Sequence, residues 1–214
     1  MINILCLGDS NTFGSNPLGG RHSRQTRWTG ILQETLGRDY YVIEEGMGGR
    51  TTVWDDPYEP NRSGKMALPI ILQSHKPIDL VILSLGTNDC KAHFHASAKM
   101  TAKGAELLCH IIKTYDYGDG MPIPEILLVS PIHIGADLSR NKFDSFDETS
   151  VQKSIQLATY YQATAKRLGC LFLDAAEVAV PSDEDQLHMD AMSHRALAMA
   201  IADKITVWQE EKYR

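Results

Sequence analysis

No apolar stretch in this 214-residue sequence approaches the ~20 residues that a membrane-spanning helix needs. Basic side chains are too few for a nucleic-acid partner: 21 Lys and Arg face 27 Asp and Glu, giving a formal charge of -6. No Lys/Arg cluster reverses that sign locally. The four cysteines, Cys6, Cys90, Cys109 and Cys170, show no CxxC spacing. Cys6 and Cys170 lie in apolar runs, so free buried thiols and a reducing, cytoplasmic setting are expected. Phosphate-cradling loops are missing as well. The segment after the first apolar run has no lysine at GxxxxGK[ST] spacing, and "GSNPLGG" has the wrong intervals for GxGxxG. A GxSxG elbow is absent around Ser10, which disfavours the α/β-hydrolase fold. The opening "MINILCLGDSN" has neither a basic region nor a cleavage site, and reads as a first core strand rather than an export signal.

What is present is an ordinary globular composition, 43% hydrophobic and 22% charged, of a length that fits one domain, 1–214. Five apolar runs, at 2–8, 40–46, 79–86, 125–131 and 170–175, are continuous rather than alternating. That pattern predicts strands covered on both faces, as in a parallel sheet. Helical patterns separate them at about 26–37, 66–75, 96–115, 150–168 and 193–210. In the last, Leu197, Ile201, Ile205 and Trp208 share a face, with Asp190 or Ser193 as candidate caps. Strand–helix alternation along the whole chain predicts a doubly wound α/β domain. Two stretches, 50–65 and 132–149, exceed normal connections, and loops of that length often carry function.

In an open parallel sheet, ligands bind beyond the carboxyl ends of the strands. Four polar motifs fall there: Gly8-Asp9-Ser10-Asn11, Gly46-Met47-Gly48-Gly49-Arg50-Thr51, Gly86-Thr87-Asn88-Asp89, and Asp185-Gln186-Leu187-His188. Singly each is weak, since Ser10 could cap a helix, Gly48-Gly49 form a turn and Asn88 an Asx-turn. Together they fill every role of an acyl-transfer site. A serine hydroxyl needs a neighbouring base, for which neutral imidazole is the usual choice. The imidazole needs a carboxylate, and Asp185 stands three residues before His188. The tetrahedral intermediate needs donors: the Ser10 amide at a helix N-terminus, the Gly49 amide and the Asn88 carboxamide.

"GDSN", "GTND" and "DQLH", in that order, resemble the blocks of the GDSL/SGNH hydrolase superfamily. The resemblance implies Ser10, Gly49, Asn88 and His188 as its Ser, Gly, Asn and His, with Gly49 matching the oxyanion glycine better than Gly48. "VIEEGMGGRTTVWDDP" and "GTNDCKAHF" are similar to the arylesterase/acyltransferase branch, whose members tend to form homo-oligomers. Two departures stand out. Asn11 replaces the leucine of GDSL, making that wall more polar, and Ser15 stands where the branch often has a bulky aromatic. The second favours hydrolysis over acyl transfer to alcohols, which needs a pocket that disfavours water.

The expectation is therefore a three-layer α/β/α, flavodoxin-like sandwich acting as a serine esterase on short-acyl esters, with some acyltransferase side activity left open. Ser10, Asp185 and His188 would be catalytic, the oxyanion hole would be Ser10, Gly49 and Asn88, and no metal or organic cofactor would be needed. A carbohydrate O-deacetylase and a non-catalytic flavodoxin-like binding module are the alternatives. His93 and His95 suit a solvated face better than a metal site. His194 is read as structural, and Asp183 and Asp190 fit the DxxH block less well than Asp185. Asp9, Arg50, Thr51, Asp89 and Lys91 are candidate braces. Trp54, Pro57, Tyr58 and Pro60 in the first long loop suit an oligomer interface, while Phe143 and Phe146 in the second suit an acyl-side wall.

Overall fold

In the computed structural model, which describes residues 1–212, the five apolar runs form five parallel strands. They are β1 (Ile2–Gly8), β2 (Tyr40–Gly46), β3 (Leu80–Ser84), β4 (Glu125–Ser130) and β5 (Leu171–Asp174), in the order β2-β1-β3-β4-β5. This is the flavodoxin-like order. The helices are α1 (Ser10–Phe13), α2 (Trp28–Leu36), α3 (Gly64–His75), α4 (Ala98–Thr114), α5 (Glu148–Leu168) and α6 (Ala191–Lys212).

Continuous hydrophobicity has the cause inferred for it. Along β1, Leu5 and Leu7 enter one core with Leu72, Leu108 and Leu157 of α3, α4 and α5. Ile4 and Cys6 enter the other with Leu32 of α2 and Leu197 and Ile201 of α6. Strands β3 and β4 divide in the same way, so the three central strands are covered on both faces. Each such side chain contributes ~1.5–3 kcal/mol by leaving water.

Helix ends lie within two residues of the sequence pattern, and caps explain the shifts of α5 and α6. Helix α5 begins before its first buried apolar residue because Asp147 and Ser150 form a reciprocal capping box. Helix α6 is capped by Asp190, whose Oδ1 accepts from the Ser193 amide at 2.8 Å. All four cysteines are free thiols; Cys6, Cys90 and Cys109 are buried and Cys170 half-buried. Among the described residues, no helix is long and apolar enough to cross a membrane.

The topology sets up the site. Gly8 pairs with Gly46 of β2 and with Ser84 of β3, so three strands end at one level. The chain leaves β1 towards β2 on one side and returns for β3 on the other. The connections therefore diverge at β1, where such folds open a crevice. Glycine at 46 lets α1 rest on the strand ends, since an added Cβ would lie 2.1 Å from the Phe13 nitrogen.

Candidate active site

Ser10 is the first residue of α1, delivered directly by the end of β1. Asp9 caps the turn, its carboxylate accepting from the Asn11 amide at 3.0 Å. Because α1 is a single turn, it offers the Ser10 amide as a donor rather than the strong dipole expected of a long helix. Burial pushes the Asp9 carboxyl up, against the Asn11 amide and the charges of His188 and Arg50.

On the opposite side, Asp185 and His188 form a compact unit. Asp185 Oδ1 accepts from the Leu187 and His188 amides at 3.0 and 2.9 Å, and Oδ2 from His188 Nδ1 at 2.6 Å. Burial pushes the Asp185 carboxyl up, but the His188 ring and these two amides outweigh it and hold it below the usual carboxylate value. As an anion it can only accept, so Nδ1 carries the proton and Nε2 is left as a base. Phe143 packs edge-on against the His188 ring at 5.5 Å.

The donors come from the other two loops. Residues 47–50 make a tight turn in which the Arg50 amide donates to the Met47 carbonyl at 3.2 Å. Gly49 holds φ +74° there, while Gly48 has ordinary backbone and open space at its Cβ position. The turn thus demands glycine at 49 and not at 48. Asn88 Nδ2 donates one hydrogen to the Arg50 carbonyl at 3.1 Å, leaving its second N–H unassigned. Next to it, fully buried Asp89 accepts from the Thr52 amide, at 2.9 Å to Oδ2, and from the Thr52 hydroxyl. Burial, reinforced by the charge of Asp9, pushes the Asp89 carboxyl up to about 6 despite these bonds.

Ser10, Gly49, Asn88, Asp185 and His188 all line one open cavity of about 770 Å³. Every residue of the expected set is thus brought together. Gly48, Ser15, Phe143 and Phe146 share the same lining. So does Lys91, whose Nζ bonds buried Asp56 at 2.8 Å. The rejected candidates lie elsewhere. His194 is fully buried against Trp28, whose amide donates to its Nδ1 at 3.4 Å, and against His22. Burial, with His22 adding to it, drives His194 down to about 3. Asp183 is exposed, and Asp190 caps α6.

His93 departs from the solvated face expected of it. It packs between Tyr58 and Phe94, 3.5 Å from Asp56. Among the described residues, no group of three or more His, Cys, Asp or Glu side chains could hold a metal. Two supporting residues escaped the sequence reading, Asp56 and Gln186. Gln186 accepts from the Gly135 amide at 2.8 Å through its carbonyl, tying the second long loop to the His188 loop. Its position inside the DQLH block was the available signal.

A family profile for GDSL-like lipases and acylhydrolases matches residues 6–196. The chain belongs to that family. Among solved structures, the M. smegmatis aryl esterase is 37% identical, with a TM-score of 0.90 over 97% of this chain and 99% of its own. A carbohydrate acetylesterase from Sinorhizobium meliloti is 34% identical, with a TM-score of 0.91 over 97% and 100% of the two chains. A G-D-S-L family lipolytic protein from Veillonella parvula, only 13% identical, shares the fold at a TM-score of 0.67 over 96% and 99%. Among curated proteins, no sequence gave a significant match. As a member of this family the chain is an ester hydrolase of the serine type.

Asp89 yields a test of its surroundings. Its carboxyl titrates near 6 when folded and at ~3.9 when unfolded, so the folded chain holds the proton more tightly between those values. The cost of burying the carboxylate is therefore absent at low pH and complete above about pH 6. Thermal unfolding of D89N and the parent should show a Tm difference that moves in favour of D89N as pH rises from about 4 to 7, then levels off. A difference independent of pH would contradict the buried carboxylate.

Proposed function

We propose that this chain hydrolyses small carboxylic esters through an acyl-enzyme formed on Ser10. The observation that carries this reading is the 2.6 Å bond from His188 Nδ1 to Asp185, made by a histidine that lines the same cavity as Ser10, Gly49 and Asn88. In the proposed cycle, His188 Nε2 takes the Ser10 hydroxyl proton as Oγ attacks the ester carbonyl. Asp185 stabilises the resulting imidazolium. The tetrahedral oxyanion meets the Ser10 amide, the Gly49 amide and the second Asn88 N–H. Its collapse expels the alcohol, which takes the proton back from His188. Water, deprotonated by the same imidazole, then releases the acid. Every role is filled by the chain's own groups.

Phe143 and Phe146 narrow the cavity on the second-loop side, and Lys142 and Asp144 make its rim polar. This favours a short acyl group over a lipid. A second reading, deacetylation of a carbohydrate ester, draws support from the Sinorhizobium neighbour and from the Glu59–Arg62 pair on the cavity wall. The free thiols support a cytoplasmic setting. In the first long loop, Trp54 stacks on Phe94 of its own chain, but Tyr58 is 76% exposed, as are Met66 and Ile70 of α3 at 66% and 70%. These apolar groups support a homo-oligomer.

Three tests follow from this reading. A fluorophosphonate probe should label Ser10; on p-nitrophenyl acetate, S10A and H188A should lose roughly 10⁴-fold or more in kcat, and H194A should keep most of it. Labelling elsewhere, or H194A as the dead variant, would refute the assignment. Across an acyl series, kcat/KM should favour acetyl to butyryl over octanoyl esters. A deep apolar pocket would instead gain ~0.8 kcal/mol per buried methylene, and a steady climb with length would overturn the small-ester reading. Light scattering at micromolar concentration should give a multiple of 23.8 kDa; the monomer mass would exclude the oligomer.

A further inference from the structure

Asp185 orients the His188 ring, but both belong to one loop, and the two bonds between them, with a third from the Leu187 amide, are local to it. Those bonds cannot set the distance between the ring and Ser10, which arrives on a different element. Asn11 spans that gap. Its buried side chain leaves α1 directly beside Ser10. Asn11 Nδ2 donates to the Leu187 carbonyl at 3.3 Å, and Oδ1 accepts from the Met189 amide at 2.9 Å. These are the backbone groups on either side of His188. A carbonyl only accepts and a backbone amide only donates, so the partners also fix which way round the carboxamide lies.

We propose that Asn11 is a positioning residue for His188, one carboxamide clamping both flanking peptides so that base and nucleophile move as a unit. The proposal rests on the reading of Ser10 and His188 given above. Asparagine suits the task because it carries a donor and an acceptor on one short, rigid group. Leucine, which gives the GDSL motif its final letter, carries neither, and would leave a buried amide and carbonyl unpaired. Aspartate accepts at both oxygens and would oppose the Leu187 carbonyl.

A displaced ring should hurt proton delivery to the leaving alcohol most, because that transfer depends on geometry. p-Nitrophenolate leaves with little help, whereas ethoxide needs the proton. N11D, close in shape to the parent, and N11L should be assayed on p-nitrophenyl acetate and on ethyl acetate. Active sites are counted with a fluorophosphonate, so that only folded, reactive enzyme enters kcat. We expect KM to stay within about threefold, kcat to fall about 10-fold on p-nitrophenyl acetate, and about 100-fold on ethyl acetate. Equal losses on the two esters, or parental kcat in both variants, would overturn the clamp. If one variant fails to fold, the other decides; failure of both would show that Asn11 holds the fold rather than the ring, and the proposal falls. Parental activity that persists in S10A would remove the esterase reading and the clamp with it. Ser10-dependent activity left unchanged by N11D removes the clamp alone.

Discussion

A single buried guanidinium joins the segments on which this site is built. Arg50 Nη1 donates to the Gly8 carbonyl at 3.0 Å and also to the Glu45 carbonyl, so it closes over the ends of β1 and β2 together. Its own main-chain carbonyl accepts from Asn88, which brings in the turn after β3. Burial pulls Arg50 down from its ordinary value, while the nearby Glu45 and Asp9 charges work the other way. Burying a cation is costly unless its donors find partners. The carbonyl oxygens at the strand ends, which no further strand residues satisfy, are the partners available. At the two strand ends that Nη1 reaches, the carbonyls' need for a donor offsets part of the cost of burying Arg50, whose buried Nε finds no partner among the described residues.

The loops beyond that edge have no core of their own, and polar contacts between them take its place. Asp89 holds Thr52, Lys91 holds Asp56, Gln186 holds Gly135 and Phe143 covers the His188 ring. Each contact joins two different connections, so no loop is fixed from one side only. Such a lattice keeps a cavity open in water without filling it with apolar side chains, which suits a small polar ester better than a fatty chain.

This division explains what could be read from the sequence. Strands were legible because burial on both faces leaves a run such as Leu80–Ser84 unbroken by polar residues. Three of the polar blocks were legible because each sits where such a run stops, and the fourth, Asp185–His188, because it stands just ahead of the final helix. Helix α1 was expected only as a helix start at Ser10; its extent was not legible, since four residues are too few for a period to show. His93 was misread because its partners, Tyr58 and Asp56, belong to a loop whose path no local pattern encodes. Asn11 was noted only as a polar substitution. Its two bonds bridge 176 and 178 positions, and only the folded chain brings those groups within reach.

Electrostatics supply the last step, because several aspartates crowd this edge and only one can serve the histidine. Burial pushes Asp9 and Asp89 up; the first caps α1 and the second is taken by Thr52. Asp56 is held down against burial, chiefly by Lys91, so its charge is already neutralised, with His93 beyond at 3.5 Å. Asp185 is also held down against burial, and its largest support is His188 itself. Surroundings that drive neighbouring carboxyls apart in this way sort them by role. The carboxylate that stays ionised without a lysine or arginine beside it is the one whose charge is free to answer a proton arriving on the imidazole, and among these four that is Asp185.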